Sequence, residues 1–153
     1  MKDQFGIKGN VTIEHRKSDG KLVSKISNHN LVTNAGWNWL YAQMSGTPGA
    51  AATYIALTSN TDDPAVGDTT LTGEYTDYGL SRSAATPAHT TNAKTYTLTK
   101  VFTCTADGKV VAKAALFNAS SGPTMVLETK LTTSKTLNDT DTLTVTWTVT
   151  MGT

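Results

Sequence analysis

Cysteine is almost absent: Cys104 is the only one in 153 residues, which excludes an intrachain disulfide framework and any cysteine-based zinc cluster. Charge is scarce as well. Charged residues make up 16% of the chain, below the ~25% usual in soluble domains, and 13 basic against 12 acidic side chains leave a net charge of +1. Such a chain lacks the field of a dedicated nucleic-acid binder, so no DNA or RNA partner is expected. No apolar run approaches the ~18 residues of a membrane span, and Met1 to Gln4 lead into no signal-peptide core. The chain therefore reads as soluble, made in the cytoplasm, with no membrane partner.

The groups that carry catalysis are equally sparse. His15, His29 and His89 form no metal-ligand spacing and read as surface or turn histidines. There is no Gly-x-Ser-x-Gly elbow, and Gly46-Thr47-Pro48-Gly49 lacks the Lys-Ser/Thr of a phosphate loop. No cofactor is expected. Cys104 shares an alternating face with Tyr96, Leu98 and Phe102, which describes a buried, inert thiol. Asn60, Asp62, Asp63 and Asp68 lack the spacing of a calcium loop. Glu14, Glu74 and Glu128 are scattered, so a glycan hydrolase built on them is a minor alternative and the chain is read as a non-enzyme.

What the sequence has in quantity is threonine, roughly a fifth of all residues, and threonine favours strands. Leu143, Val145, Trp147, Val149 and Met151 alternate with Thr142, Thr144, Thr146, Thr148 and Thr150, a strand with one buried face. Thr95 to Cys104 and Lys109 to Phe117 flank Ala106-Asp107-Gly108 as a hairpin, and Met125 to Leu131 reads as a further strand. Asp19-Gly20 turns an earlier hairpin. A single helix is predicted from Thr33 or Asn34, its apolar Trp37, Leu40, Tyr41 and Met44 at helical spacing, stopped by Gly46. Short strands are expected at Thr53 to Thr58, Leu71 to Tyr75 and Leu80 to Ala84. About eight strands and one short helix predict a mainly β fold, an antiparallel β-sandwich or jelly roll, as one domain over 1–153 with 1–27 a leading hairpin or arm.

Candidate contact residues follow from charge and exposure. Residues 59–95 are rich in turn formers, and Asp62, Asp63, Asp68, Glu74 and Asp77 lie there with no lysine or arginine among them. A compact segment of this kind needs cations from elsewhere, and a partner's basic patch is the source expected; assembly through it would weaken with salt. Arg16 and Lys17 belong to a basic amino-terminal stretch of opposite sign. Trp39 cannot share a helical face with Trp37, so it enters a second layer or meets a partner.

The order of motifs Asn30-Leu31-Val32-Thr33-Asn34-Ala35-Gly36, Tyr54-Ile55-Ala56-Leu57, Asp68-Thr69-Thr70-Leu71-Thr72-Gly73-Glu74-Tyr75 and Ala114-Ala115-Leu116-Phe117-Asn118, closed by a threonine-rich strand, resembles small virion structural proteins of tailed bacteriophages. That family covers capsid decoration, head-fibre and tail-associated proteins. The resemblance implies a β-rich, non-enzymatic protein located in the virion, assembled with itself as a homo-oligomer (a trimer by preference) and with the major capsid protein or another virion protein. It also implies an ion pair or interface contact between Glu74 and Arg82. A tail-fibre or receptor-binding module reading glycans through Trp39, Tyr75 and Tyr78 is the alternative within the same class.

Overall fold

Alternation of apolar and polar residues dictates two sheets that face each other. The computed structural model describes residues 6–122 and 124–152, so the reading of Met1 to Gln4 lies outside the described residues. Strands β1 (Ile7–Arg16), β2 (Leu22–His29), β6 (Thr86–His89), β7 (Thr95–Thr103) and β10 (Thr142–Met151) form sheet A in the order β2-β1-β10-β7-β6. Strands β3 (Leu31–Val32), β4 (Tyr54–Thr58), β5 (Ser83–Ala84), β8 (Lys109–Phe117) and β9 (Met125–Leu137) form sheet B in the order β3-β9-β8-β4-β5. Every pairing is antiparallel. The fold is a β-sandwich with one helix, α1 (Asn34–Met44).

The closing strand behaves as its pattern predicts. Leu143, Val145, Trp147 and Val149 are buried, and β10 sets Leu143 opposite Phe102 and Trp147 opposite Leu98 on β7, with Val11 and Ile13 of β1 on its other side. Ile55 and Leu57 of β4, Ala114 and Leu116 of β8 and Leu127 of β9 close this core from sheet B. Cys104 is fully buried in the same core, its Sγ 3.1 Å from the Ala106 carbonyl.

Two expected strands are mostly loop. Between Leu71 and Tyr75 the chain makes only an isolated bridge from Glu74 to Thr58, and of Leu80 to Ala84 only Ser83 and Ala84 pair. The reason is that the stretch around Leu71 packs onto sheet B as a cover, whereas Leu80 enters the core between the sheets with Tyr75 packed against it, and neither extends a sheet. The outer face of sheet B carries small residues at its centre, Ala56 and Ala115, and Leu71 fills the hollow they leave, together with Phe117 and Met125. Three of the segments in the motif order meet here, which gives that order a structural meaning: the alanines exist to receive the leucine.

Helix α1 lies against β9. Thr33 is its N-cap, accepting from the Gly36 N–H at 2.9 Å. Gly36 is the helix's one fully buried residue, and a Cβ there would run into the Val126 carbonyl oxygen, so glycine is what allows helix and strand to approach this closely. Of the apolar face read from the sequence only Leu40 turns inward. Trp39 packs against the core and donates its indole N–H to the Ala50 carbonyl at 2.8 Å, whereas Trp37, Tyr41 and Met44 are exposed.

Candidate interaction surface

Sheet A buries one face, so its other face is the broadest regular surface of the molecule. Pairing register places Ser27, Thr12, Thr146, Thr99 and Thr86 in one row across all five strands. His29, Asn10, Thr148, Thr97 and Ala88 form the next row. Thr99 and Thr146 hydroxyls are 3.3 Å apart, and Asn10 donates to Ser27 at 2.8 Å. This is an uncharged hydroxyl field over most of its extent. Charge lies at both ends of β1 on this face, with exposed Lys8 at one end and Glu14 at the other, where it pairs with Lys25 at 2.9 Å and with Arg16 at 3.1 Å. The Lys25 hydrogen bond, then that of Arg16, holds the Glu14 carboxyl below its ordinary pKa.

The acidic segment covers the outer face of the opposite sheet, and it finds cations within its own chain. Asp63 accepts from Lys130 of β9 at 2.7 Å. That lysine lowers the pKa of the exposed Asp63 carboxyl. Glu74 takes both arms of Arg82, at 2.8 and 2.6 Å. The Arg82 guanidinium lies 3.6 Å from the centre of the Phe117 ring and also reaches the Ala119 and Gly122 carbonyls. The implied Glu74–Arg82 ion pair is thus present and largely desolvated, a clamp that holds the cover to β8. Asp62 accepts from Asn60, Asp68 from the Ala65 N–H, and Asp77 from the Tyr78 N–H. For Glu74 the resemblance already implies Arg82; the cation on Asp63 is expected from a partner because Lys130 is remote from it along the chain.

Beneath the cover is a pair that sequence reasoning passed over. Lys113 of β8 and Glu128 of β9 form an ion pair with 4% and 1% of their side chains exposed. Burial pushes the Glu128 carboxyl up, Lys113 pulls it down, and the neighbouring Asp68 carboxyl raises it again. One Glu128 oxygen, Oε2, has no protein partner. The available signal was positional: Lys113 stands among apolar and small residues from Val110 to Phe117, and Glu128 follows the apolar run Met125-Val126-Leu127, in a sheet whose outer face is covered.

His15 is likewise no surface histidine. It is buried on β1, and its Nε2 lies 2.9 Å from Asp141 Oδ2, which also accepts from Lys17 at 2.9 Å and from the Asn138 N–H at 3.0 Å. Lys17 is therefore tied to the β9–β10 turn. Burial alone would raise the Asp141 pKa, but the Asn138, Lys17 and His15 hydrogen bonds outweigh it and hold the group at about 2. A carboxyl depressed in the folded state contributes stability above its unfolded pKa and loses it as pH falls through the folded value. The drop from 3.8 to about 2 corresponds to roughly 2–3 kcal/mol, lost between about pH 4 and pH 2. Asp141→Asn is expected to remove that share at neutral pH and flatten the acid limb of a stability profile followed by denaturant titration. An unchanged limb would assign the acid sensitivity elsewhere.

The three glutamates do not converge. Glu14 lies on the outer face of sheet A, Glu74 belongs to the cover on sheet B and Glu128 lies beneath that cover, each engaged by a cation. Among the described residues no three His, Cys, Asp or Glu side chains gather as a metal site. An apolar cavity of about 30 Å³ separates α1 from the sheets, lined by residues including Ile7, Trp39, Leu40, Tyr96 and Val149. Burial raises the Tyr96 phenol pKa. Of the aromatics considered for glycan contact, Trp39 and Tyr75 pack against the core, the Tyr75 hydroxyl donating to the Val110 carbonyl at 2.8 Å. Only Tyr78 is exposed, with Lys109 3.7 Å above its ring. No protein-family model matches the chain, and no curated protein matches it.

Proposed function

We propose that the chain is a structural protein of a tailed-bacteriophage virion, a decoration protein that is made in the host cytoplasm, binds the head exterior as a homo-oligomer and braces the major capsid protein. Binding is its whole mechanism. The observation that carries this reading is the outer face of sheet A, where registered hydroxyl rows offer many weak, directional contacts and little charge to desolvate. Repeated by symmetry on a particle, such contacts add through multivalency. The motif order that resembles the virion family supports the same reading, and its segments meet on the covered face of sheet B.

The test uses purified heads lacking the protein. Wild-type chain is expected to co-sediment with them and raise their melting temperature. Thr97→Lys, which places a charge in the middle of the hydroxyl field, is expected to weaken binding at least tenfold with the isolated protein's melting temperature nearly unchanged. Attachment confined to the tail or neck in a particle map would discard the head placement. Binding to host cells and not to heads would transfer the chain to the receptor-binding class.

A further inference from the structure

Helix α1 carries no charged side chain, with neither an acid in its first turn nor a base in its last. Its inner side is accounted for by Gly36, Trp39 and Leu40, which face β9 and the cavity beneath the helix. Its outer side is apolar as well. Trp37, Tyr41 and Met44 are 46%, 72% and 67% exposed. Spaced four and then three residues apart, they fall within one narrow stripe of the helix surface, the geometry of a helix-pairing seam. Val66, 54% exposed, continues the stripe at the helix start, where its carbonyl accepts from the Asn34 N–H at 2.7 Å.

We infer that this stripe is a contact between two copies of the chain, α1 lying antiparallel to α1 across a two-fold axis near Tyr41. Several observations select a second copy over another partner. An uncharged helix offers nothing to a partner chosen by charge, and it incurs no like-charge repulsion against itself. The stripe is self-complementary: Trp37 lies four residues before Tyr41 and Met44 three after. An antiparallel copy therefore brings each Trp37 ring to Met44 of the other, offset by about 1.5 Å, a sulfur–aromatic contact made twice. The antiparallel arrangement also opposes the two helix dipoles, which neither terminus offsets with a charge of its own. Around a three-fold axis the Tyr41 hydroxyls would converge and be buried together, whereas on a two-fold they leave at the rim.

The area sets the strength. The four side chains expose roughly 450 Å² per copy, or about 900 Å² for the pair, below the ~1,200 Å² of a standard stable interface even before Asn34 and Asn38 add a polar rim. The small area places the contact among weak, reversible ones, and a dissociation constant on the order of micromolar is the value to test. This contact belongs to the isolated chain and holds whatever particle the chain is part of, so its failure and that of the virion reading are separable.

The full chain is examined by sedimentation equilibrium from about 1 to about 300 µM, a range that brackets the expected constant. The weight-average mass is expected to rise from one chain toward two. Tyr41→Glu is expected to weaken association at least ~30-fold while leaving the melting temperature of the dilute protein in place. Tyr41→Cys is expected to cross-link to completion under mild oxidation, with fully buried Cys104 unreactive. A mass fixed at one chain throughout, or association untouched by Tyr41→Glu, overturns the proposal. Cross-linking that stalls with one chain in three unlinked overturns the two-fold in favour of a trimer.

Discussion

Trp147→Ala is expected to cost ~3–5 kcal/mol in chemical denaturation, near the upper range for a single core truncation. Trp147 is fully buried at the middle of β10, the central strand of sheet A, where it is flanked by Val11 and Leu98. Removing the indole leaves a cavity bounded on two sides by backbone pinned in sheet pairing, which limits collapse. It also removes a hydrogen bond, since Trp147 Nε1 donates to Asn30 Oδ1 at 3.3 Å. Asn30 is already short of a partner at Nδ2, so the truncation leaves its amide with less still. Trp147→Phe, which keeps most of the volume, is expected to cost clearly less. Thr146→Ala and Thr148→Ala, on the opposite face of the same strand, are expected to cost under about 1 kcal/mol. Equal losses for Trp147→Ala and Thr146→Ala would mean that the strand's two faces are not the ones described.

That prediction is available from sequence because a period of two specifies which side of a strand faces the core, and β10 keeps the period over its whole length. The same rule identified β7, but the hairpin read across Ala106-Asp107-Gly108 is not one: β7 pairs with β10 and β6 in sheet A and β8 with β9 and β4 in sheet B, so that turn carries the chain from one sheet to the other. The rule failed where its premise failed. In sheet B both faces are covered, so β8 reads Lys109 to Phe117 with nearly every residue from Val111 onward buried, and alternation no longer separates inside from outside. The cover itself lacks periodicity because its residues are placed by individual contacts, Leu71 into the alanine hollow and Arg82 onto Phe117. Helix α1 misled for a related reason. With apolar side chains on both sides, its spacing fits two orientations, and what decides between them is Gly36, whose missing side chain allows one face alone to reach β9.

The contact residues were legible in kind and not in partner. An acidic run without local cations does need compensation, and the structure supplies it for Asp63 and Glu74 through Lys130 and Arg82. Local sequence carries no information on which distant strand crosses beneath a loop, so an intrachain cation and a partner's cation look alike. Arg16 shows the same ambiguity: part of a basic stretch expected to meet opposite charge on a partner, it is held by Glu14 and by the Gly20 carbonyl. The hydroxyl field was visible strand by strand, yet its assembly into rows depends on the register of five strands, three of which follow one another in space and not in sequence.

Lys113→Met is expected to be the most damaging charge removal in the molecule, about 3–5 kcal/mol near pH 7. Methionine keeps the volume of lysine under the cover, so the loss reports on charge. Without the ammonium, Glu128 remains buried with its Oε2 unpartnered and the Asp68 carboxyl beside it. Burial and Asp68 already hold the Glu128 pKa above its ordinary value, and loss of the opposing Lys113 raises it further. A carboxyl raised in the folded state favours folding while protonated, and that contribution is lost as pH rises through the folded pKa. The deficit of Lys113→Met is therefore expected to narrow as pH is lowered from about 8 to about 5, above the window in which Asp141 loses its own contribution. Lys113→Met with Glu128→Leu is expected to recover most of the stability at neutral pH, because an apolar pair of similar volume has no charge to desolvate. Urea titrations of the three proteins at both pH values decide the matter. A deficit that does not change with pH, or a double variant as unstable as the single, would mean that Lys113 supports the fold through packing of its stem, and that the ion pair contributes little to holding the acidic cover on sheet B.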